Sequence, residues 1–192
     1  KESPETGYPS QPLGKADQNA MVLGEGAAAF WLMPRSRDHL LQNSTQAVLE
    51  ATGFGHEHLQ GFAGIDEAGT AFQRAMQMAL DEQETGFYVD LVLMHAPGTS
   101  KGDKAERHAV RHIFGEHEPM LYSHKWQIGH TFGASAALGI AQALYILNTQ
   151  QLPEFPYETG TPGTLRKPVR KIMVNAAGFG GNAGSLILSK PA

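Results

Sequence analysis

The chain has 192 residues, of which 41% are hydrophobic and 18% charged, and its formal net charge is −4 at pH 7. This balance is typical of one folded globular domain, and it excludes the basic surface that nucleic acid requires and a cationic membrane anchor. The chain contains no cysteine, so it offers no disulfide, no thiolate metal ligand and no thiol nucleophile.

The N-terminal part of the chain predicts a loop followed by two strands. Residues 1–20 are polar and contain proline and glycine, so we expect a loop or an N-terminal extension before a domain at 21–192. The following segments are predicted in order: a largely buried strand at 21–33, a polar connection at 34–45, and a second strand at 47–55.

The middle of the chain predicts alternating helices and strands. Apolar residues recur at helical spacing from 66 to 81, which indicates an amphipathic helix. Asp103 and Glu106 have the spacing of a capping box, so a second helix is expected to begin there and to end near 114. The other predicted elements are strands at 89–94 and 120–122 and a helix from about 131 to 147.

The C-terminal part predicts a proline-rich surface connection at 151–169 and then a hairpin. Two apolar runs, 171–175 and 184–188, read as antiparallel strands joined by a glycine-rich loop at 178–181. The full order of elements predicts an α/β fold, in which a mixed β-sheet is sandwiched by α-helices.

The chain is expected to be cytoplasmic and to contact neither membrane nor nucleic acid. No apolar run approaches the roughly 18 residues of a membrane-spanning helix. The first residues show no apolar signal-peptide core, and the absence of cysteine is compatible with this compartment.

His130 and His95 are the strongest candidates for chemistry, because each lies where an apolar run meets a glycine-rich turn or a helix start. At the start of a helix, the dipole disfavours a charged imidazole, so His130 should stay neutral and donate one N–H to a developing oxyanion. His95 would supply a second donor. Either residue could instead be a surface or capping histidine, but Lys125, close before His130, favours a shared site.

Asp103 and Glu106 have two interpretations that stay open. They could form an ordinary helix cap worth about 1 kcal/mol. Glu106 also lies partly toward the core side of its helix, where a carboxylate needs a cation, and Lys125 is the available candidate.

Three other patterns are interpreted as structural. His108 and His112 have zinc-peptidase spacing but lack the adjacent glutamate, so we predict no metal site. The loop at 178–181 is followed by a strand and not by a helix, which excludes a dinucleotide fingerprint. The sequence His56-Glu57-His58 is expected to be a solvated loop.

Four motifs together resemble the C-terminal half of a divergent β-ketoacyl synthase, a thiolase-like family that forms carbon–carbon bonds in fatty acid and polyketide synthesis. Any one of them alone is weak evidence, whereas the combination is specific. The motifs are Val22-Leu23-Gly24-Glu25-Gly26-Ala27, His95-x-x-Gly98-Thr99-x-x-Gly102-Asp103-x-x-Glu106, Lys125-x-x-x-Gly129-His130-Thr131 and Gly178-Phe179-Gly180-Gly181-Asn182.

The resemblance implies an α-β-α-β-α fold of which this chain supplies the second half, with 21–33 as the last strand of the first half. It also implies that two histidines bind the enolate oxygen of a decarboxylated malonyl group. The implied roles are enolate binding by His95 and His130, a charge network of Lys125 and Glu106, pantetheine contact by Thr99, gating of the acyl pocket by Phe179 with Gly180, and structural support by Asp103 and Glu25.

The implied reaction is the decarboxylative Claisen condensation of malonyl-carrier protein with an acyl thioester on a cysteine outside this chain. No resident cofactor is implied, since phosphopantetheine on the acyl carrier protein holds the acyl groups. The implied partners are that carrier protein, a cysteine-bearing N-terminal half and a second subunit, in a homodimer or a ketosynthase-type heterodimer. The alternative is a non-catalytic subunit of the chain-length-factor type, against which the retention of His95, His130 and Lys125 argues.

Overall fold

A computed structural model describes residues 9–15, 19–34, 47–58, 64–83, 88–161, 164–165 and 167–191. These residues alternate between strands and helices, as the sequence predicts. In chain order the elements are β1 (Val48–His56), α1 (Thr70–Glu82), β2 (Leu91–Leu93), α2 (Ser100–Phe114), β3 (Met120–Tyr122), α3 (Lys125–Ile128), α4 (Ser135–Thr149), β4 (Lys171–Gly178) and β5 (Asn182–Ser189). Short 3-10 turns occupy Gly115–His117 and Phe132–Ala134.

The strands form one mixed five-stranded sheet in the order β1-β5-β4-β2-β3. The pairs β1–β5 and β4–β5 are antiparallel, whereas β2 pairs in parallel with both β4 and β3. The predicted hairpin at the C-terminus is therefore confirmed, as β4 and β5. Because β2 and β3 are parallel, the residues that follow them emerge at the same edge of the sheet.

Helices cover both faces of this sheet, which confirms the predicted sandwich. On one face, α1 and α2 pack against β-strand residues such as Val92, Met173 and Ile187. On the other face, Ala143, Ile146 and Leu147 of α4 pack against a second set of strand side chains. Strand residues alternate between the two cores because successive side chains point to opposite faces.

Helix α1 lies unusually close to β1 because two glycines face it. A Cβ atom on Gly53 would overlap the carbonyl oxygen of Ala75, and one on Gly55 would overlap that of Ala71. The helix contributes alanines to this contact, so backbone meets backbone with no intervening side chain. Glycine is required at both strand positions for this approach.

The described residues do not show the buried strand predicted at 21–33, and its place as the last strand of an N-terminal half stays a prediction. The segment is extended, but its one recorded pairing among the described residues is a parallel bridge between Leu23 and His130. Its side chains are largely exposed, with Trp31 at 88%. A strand needs a neighbouring backbone to satisfy its N–H and C=O groups, and an apolar composition alone does not supply one. Of the predicted connection at 34–45, only Pro34 lies within the described residues.

Two predicted helix starts are also corrected. Helix α2 begins at Ser100 with Thr99 as its N-cap, so Asp103 is not the cap. The carboxylate of Asp103 instead accepts the backbone N–H groups of Leu13 and Gly98, at 2.8 and 3.0 Å. Helix α4 begins at Ser135, after the 3-10 turn, so His130 does not open it.

The sequence His56-Glu57-His58 is not a solvated loop. His56 ends β1, and Glu57 is 3% exposed. The Glu57 carboxylate accepts the N–H groups of Asp66 and Ala71 at 3.0 and 3.1 Å. It therefore fixes the chain that leads into α1, as a buried carboxylate does when its oxygens are satisfied.

Residues Phe132–Thr149 form the one helical stretch, within the described ranges, whose length and composition would suffice to cross a membrane. This corrects the expectation that no run approaches that length. Three of its residues, Ala143, Ile146 and Leu147, are fully buried against the sheet. Core packing accounts for the apolar character of that side of the helix.

Candidate functional site

The candidate site lies where β2 and β3 end. His95 follows β2, and Lys125 follows β3 and opens α3. Five residues after Lys125 the chain reaches His130, whose ring centroid lies 5.2 Å from that of His95 at an interplanar angle of 81°. The structure thus brings together the two histidines that the sequence singled out. They are called the histidine pair below.

A backbone donor determines the tautomer of His95. The N–H of Ala177, in β4, donates to Nδ1 of the ring at 3.2 Å. A ring nitrogen that accepts a hydrogen bond carries no proton, so the proton of the neutral ring is on Nε2.

The tautomer of His130 is determined in the same way. The N–H of Phe132 donates to Nδ1 of His130 at 3.1 Å, which leaves Nε2 protonated. Phe132 has a φ of 47°, a left-handed conformation that is rare for a residue with a side chain. Its ring packs edge-on against that of His130, with 5.1 Å between centroids. The conformation of this turn therefore points the backbone N–H of Phe132 at the ring of His130.

Both rings of the histidine pair are neutral at pH 7. Burial lowers the pKa of His95 well below 6.5, and the charges of Lys125, His130 and His124 lower it further. Burial and the Lys125 charge likewise lower the pKa of His130. Burial is the largest cause of both shifts, and not the helix dipole that the sequence suggested. Two neutral rings with protonated Nε2 atoms form a pair of hydrogen-bond donors.

Glu106 is fully buried and fixes the backbone at His95. Its carboxylate accepts the N–H groups of His95 and Ala96 at 2.9 and 2.8 Å. It also accepts the side-chain amide of Asn175 at 3.1 Å, and Asn175 in turn accepts the hydroxyl of Ser185 at 2.8 Å. Burial raises the pKa of Glu106, while these donors and Lys125 oppose the rise.

Lys125 is 2% exposed, and its charge acts on the carboxylates of Glu106 and Asp103 and on both rings of the histidine pair. Its ammonium donates to the carbonyl oxygen of His95. The backbone of His95 is thus held at its N–H by Glu106 and at its C=O by Lys125. The sequence had suggested a direct ion pair between Glu106 and Lys125. Burial lowers the pKa of Lys125, and the charges of Glu106 and Asp103 oppose the lowering.

Asp103 and Thr99 lie at the start of α2. Burial raises the pKa of Asp103 to about 6, against the opposing effect of backbone donors and Lys125. Thr99 is half-buried and lies beside Gly102, whose absent side chain leaves room for the Thr99 hydroxyl. Asp103 therefore orders the loop between His95 and α2, and Thr99 is the N-cap residue of that helix.

Phe179 and Gly180 lie in the turn between β4 and β5. Phe179 is 59% exposed, and Gly180 has a φ of 80°. The side chain of Asn182 donates to the carbonyl oxygen of Phe179 at 3.0 Å and so closes the turn. Glu25 is exposed and makes no recorded contact with the histidine pair, although Gly24 beside it pairs with the backbone of His130.

Sequence reasoning missed three polar residues around the site. Asn175 and Ser185 face each other on β4 and β5, and a buried polar residue inside an apolar strand was the available signal for both. His124 is 4% exposed, and neither ring nitrogen has a hydrogen-bond partner in the described part of the chain. No cluster of three or more metal-ligating side chains occurs within the described ranges.

The sequence matches a known protein-family profile. The profile described as "Beta-ketoacyl synthase, C-terminal domain" matches residues 46–156, which include both members of the histidine pair. A 3-oxoacyl-[acyl-carrier-protein] synthase 1 of Haemophilus influenzae is 25% identical over 91% of this chain and 45% of its own length. The chain spans about half the length of the curated relatives it matches.

Solved ketosynthase structures share the fold. The ishigamide ketosynthase/chain length factor superposes with a TM-score of 0.78 at 22% identity, covering 99% of this chain and 48% of that one. A type II polyketide ketosynthase in complex with its acyl-carrier protein gives a TM-score of 0.71 at 19% identity, covering 81% of this chain and 41% of that one. At these identities the superpositions show the fold alone.

Proposed function

Because the chain belongs to the β-ketoacyl synthase family, we propose that it is the part of a β-ketoacyl-[acyl-carrier-protein] synthase that binds and activates the malonyl group. The observation that carries this proposal is the pair of neutral imidazoles, 5.2 Å apart, whose Nδ1 atoms both accept a backbone N–H. Two fixed Nε2–H donors are what a developing enolate oxygen requires.

The proposed reaction joins a malonyl thioester to an acyl thioester. The bond between the malonyl carboxylate and its α-carbon breaks, CO2 leaves, and the electron pair forms an enolate. The Nε2–H groups of His95 and His130 donate to the enolate oxygen. The α-carbon then attacks the carbonyl of an acyl group carried on a cysteine of the N-terminal half, and the thiolate leaves.

Lys125 and Glu106 support this step without contacting the enolate. Each holds one end of the His95 peptide, so the ring of His95 keeps its orientation as charge develops. The positive charge of Lys125 also keeps both imidazoles neutral. Burial disfavours an imidazolium at this site, so each ring is expected to act as a neutral hydrogen-bond donor.

The substrates are proposed to arrive on phosphopantetheine arms of an acyl carrier protein. Thr99 is proposed to hydrogen-bond the arm, and Phe179, with Gly180 beside it, to gate the acyl pocket. The exposure of Phe179 and the positive φ of Gly180 support a turn that a ligand can contact. The remaining proposed partners are the cysteine-bearing half and a second ketosynthase-type subunit, and the cytoplasmic location stays a prediction.

The test uses the full-length polypeptide that contains this chain, with acyl- and malonyl-carrier protein as substrates. His130→Ala should lower the condensation rate by a factor of about 100 or more, because one oxyanion donor is lost. His112→Ala removes an exposed histidine of α2 and is the matched control, for which we expect the wild-type rate. Equal rates for both variants would refute the proposal.

A non-catalytic subunit of the chain-length-factor type is the second candidate function. This chain carries no cysteine of its own, so a catalytic role depends on a nucleophile from another half, whereas a non-catalytic role does not. The same assay separates the two functions. A full-length protein that is inactive alone but raises the activity of a cysteine-bearing partner would support the second.

A further inference from the structure

The N-terminal segment, residues 9–15 and 19–24, contacts the candidate site although the sequence places most of it outside the domain. One side of the segment is anchored on the later connection. The Tyr157 hydroxyl donates to the carbonyl oxygen of Pro12 at 2.9 Å, and the N–H of Lys15 donates to that of Glu158 at 3.1 Å. The other side of the segment contacts residues that the proposed function uses.

Ser10 has a buried side chain that contacts the backbone of Lys125. It is 3% exposed, and its hydroxyl donates to the carbonyl oxygen of Lys125 at 2.9 Å. The same oxygen accepts the N–H of Gly129 at 2.9 Å. Ser10 therefore supplies one of two donors at the start of the turn that ends at His130. A buried carbonyl group stays in place as long as its hydrogen-bond donors stay in place.

Residues 22–24 hold the backbone of His130 on both sides. The N–H of His130 donates to the carbonyl oxygen of Val22 at 2.7 Å, and the N–H of Gly24 donates to that of His130 at 3.0 Å. A Cβ atom on Gly24 would overlap the carbonyl oxygen of Ile128. The turn from Lys125 to His130 is thus fixed by the N-terminal segment at its first carbonyl and at its last residue.

The same segment contacts the loop that follows His95. The N–H of Leu13 donates to the carboxylate of Asp103 at 2.8 Å, and the N–H of Ala20 donates to the carbonyl oxygen of Gly98 at 2.8 Å. Both halves of the histidine pair therefore adjoin backbone that this segment holds.

We propose that the N-terminal segment is part of the condensation site and that Ser10 is a positioning residue for His130, acting through the carbonyl oxygen of Lys125. The hydroxyl touches no reacting atom. It fixes the turn from Lys125 to His130, and the residues directly after this turn place the N–H of Phe132 on Nδ1 of His130. The kinetic consequence rests on the proposed function, whereas the consequence for the tautomer does not.

The experiment compares Ser10→Ala with Tyr157→Phe in the full-length polypeptide. Each variant removes one hydroxyl and one hydrogen bond of 2.9 Å that involves the N-terminal segment, but only Ser10→Ala removes a donor from Lys125. The readouts are kcat and KM for malonyl-carrier protein and the 15N shifts of the His130 ring, which report its tautomer. For Ser10→Ala we expect kcat to fall about tenfold at a KM within about twofold of wild type, with part of the ring protonated on Nδ1. For Tyr157→Phe we expect neither change.

A wild-type kcat and tautomer in Ser10→Ala would overturn the inference, and so would equal changes in both variants, which would indicate a role in fold stability alone. If Ser10→Ala does not fold, Ser10→Cys keeps the shape with a weaker donor and is measured in its place. If the wild-type protein does not condense its substrates, the proposed function fails. The ring shifts of His130 still decide the inference in that case.

Discussion

Replacing Glu106 by glutamine should destabilise the protein far more than its small change of shape suggests. The two carboxylate oxygens of Glu106 accept three N–H donors, from His95, Ala96 and Asn175. Glutamine offers one acceptor oxygen and one NH2 group. The best arrangement keeps the oxygen on His95 and Asn175, so the NH2 group faces the N–H of Ala96.

The magnitude follows from these contacts. An unsatisfied buried donor costs about 1–3 kcal/mol. The substitution also removes the charge that most strongly opposes the lowering of the Lys125 pKa, although the two side chains form no direct pair. From the unsatisfied donor we expect Glu106→Gln to lower the free energy of unfolding by about 1–3 kcal/mol.

The assay is the thermal unfolding midpoint of the full-length polypeptide, with Glu118→Gln as the matched control. Glu118 follows α2 at the surface and lies 3.7 Å from Arg111, with 32% of its side chain exposed. An exposed pair of this kind contributes about 0–1 kcal/mol. The reasoning is refuted if the two variants lower the midpoint equally.

A second measurement tests the electrostatic part of the argument. Glu106 opposes the lowering of the Lys125 pKa, so this pKa should fall further in Glu106→Gln. A lysine with a lowered pKa destabilises the fold as pH falls through the interval between its unfolded and folded values, and the variant extends that interval downward. The difference from wild type should therefore be larger at about pH 6 than at about pH 9. A difference independent of pH would contradict this.

Three further predictions follow from buried groups and close contacts. His124→Leu should leave the thermal midpoint at pH 7 unchanged or raised, because both buried ring nitrogens lack a partner among the residues described. Burial lowers the pKa of His124 to about 3, so the neutral ring's contribution is complete above 6.5 and is lost as pH falls below it. Urea unfolding between pH 7 and pH 4.5 should show less acid destabilisation in the variant, by up to about 1.4 kcal/mol per pH unit. Gly24→Ala should abolish condensation, because the added Cβ would overlap the carbonyl oxygen of Ile128. Gly26→Ala should be tolerated, since its Cβ would lie 2.9 Å from a flexible leucine methyl. Circular dichroism of both variants checks that they fold. The acid limb of kcat/KM should lie below pH 6.5, because both imidazoles of the histidine pair have lowered pKa values. An apparent pKa at or above 6.5 would be evidence against neutral donors.

The elements of the sheet and its helices were predictable because their signals are local. The helix at 70–82 shows its apolar stripe within its own residues, and the hairpin shows two apolar runs around a glycine turn. The strand predicted at 21–33 depends on residues outside the segment. Its apolar residues indicate burial, but the backbone that would pair with a strand is not encoded in the segment itself.

The sequence predicted which residues form the site but not how they are hydrogen-bonded. Histidine motifs at the ends of apolar strands placed His95 and His130 together. Asp103 has the spacing of a helix cap, yet donors from Leu13 and Gly98 compete for its oxygens, and Leu13 is distant in sequence. Lys125 was expected to pair with Glu106, but its ammonium donates a hydrogen bond to a backbone carbonyl oxygen. Every residue has such a carbonyl group, so a sequence pattern does not indicate which one accepts the bond.

Both proton positions in the histidine pair are assigned by the main chain, through the amides of Ala177 and Phe132. Every amino acid except proline supplies that amide, so mutation at these positions can change the side chain without erasing the donor. The protonation pattern is therefore insulated from sequence drift as long as the turns keep their shape. A lineage can diversify its pockets widely and still inherit the same acid–base state at its centre.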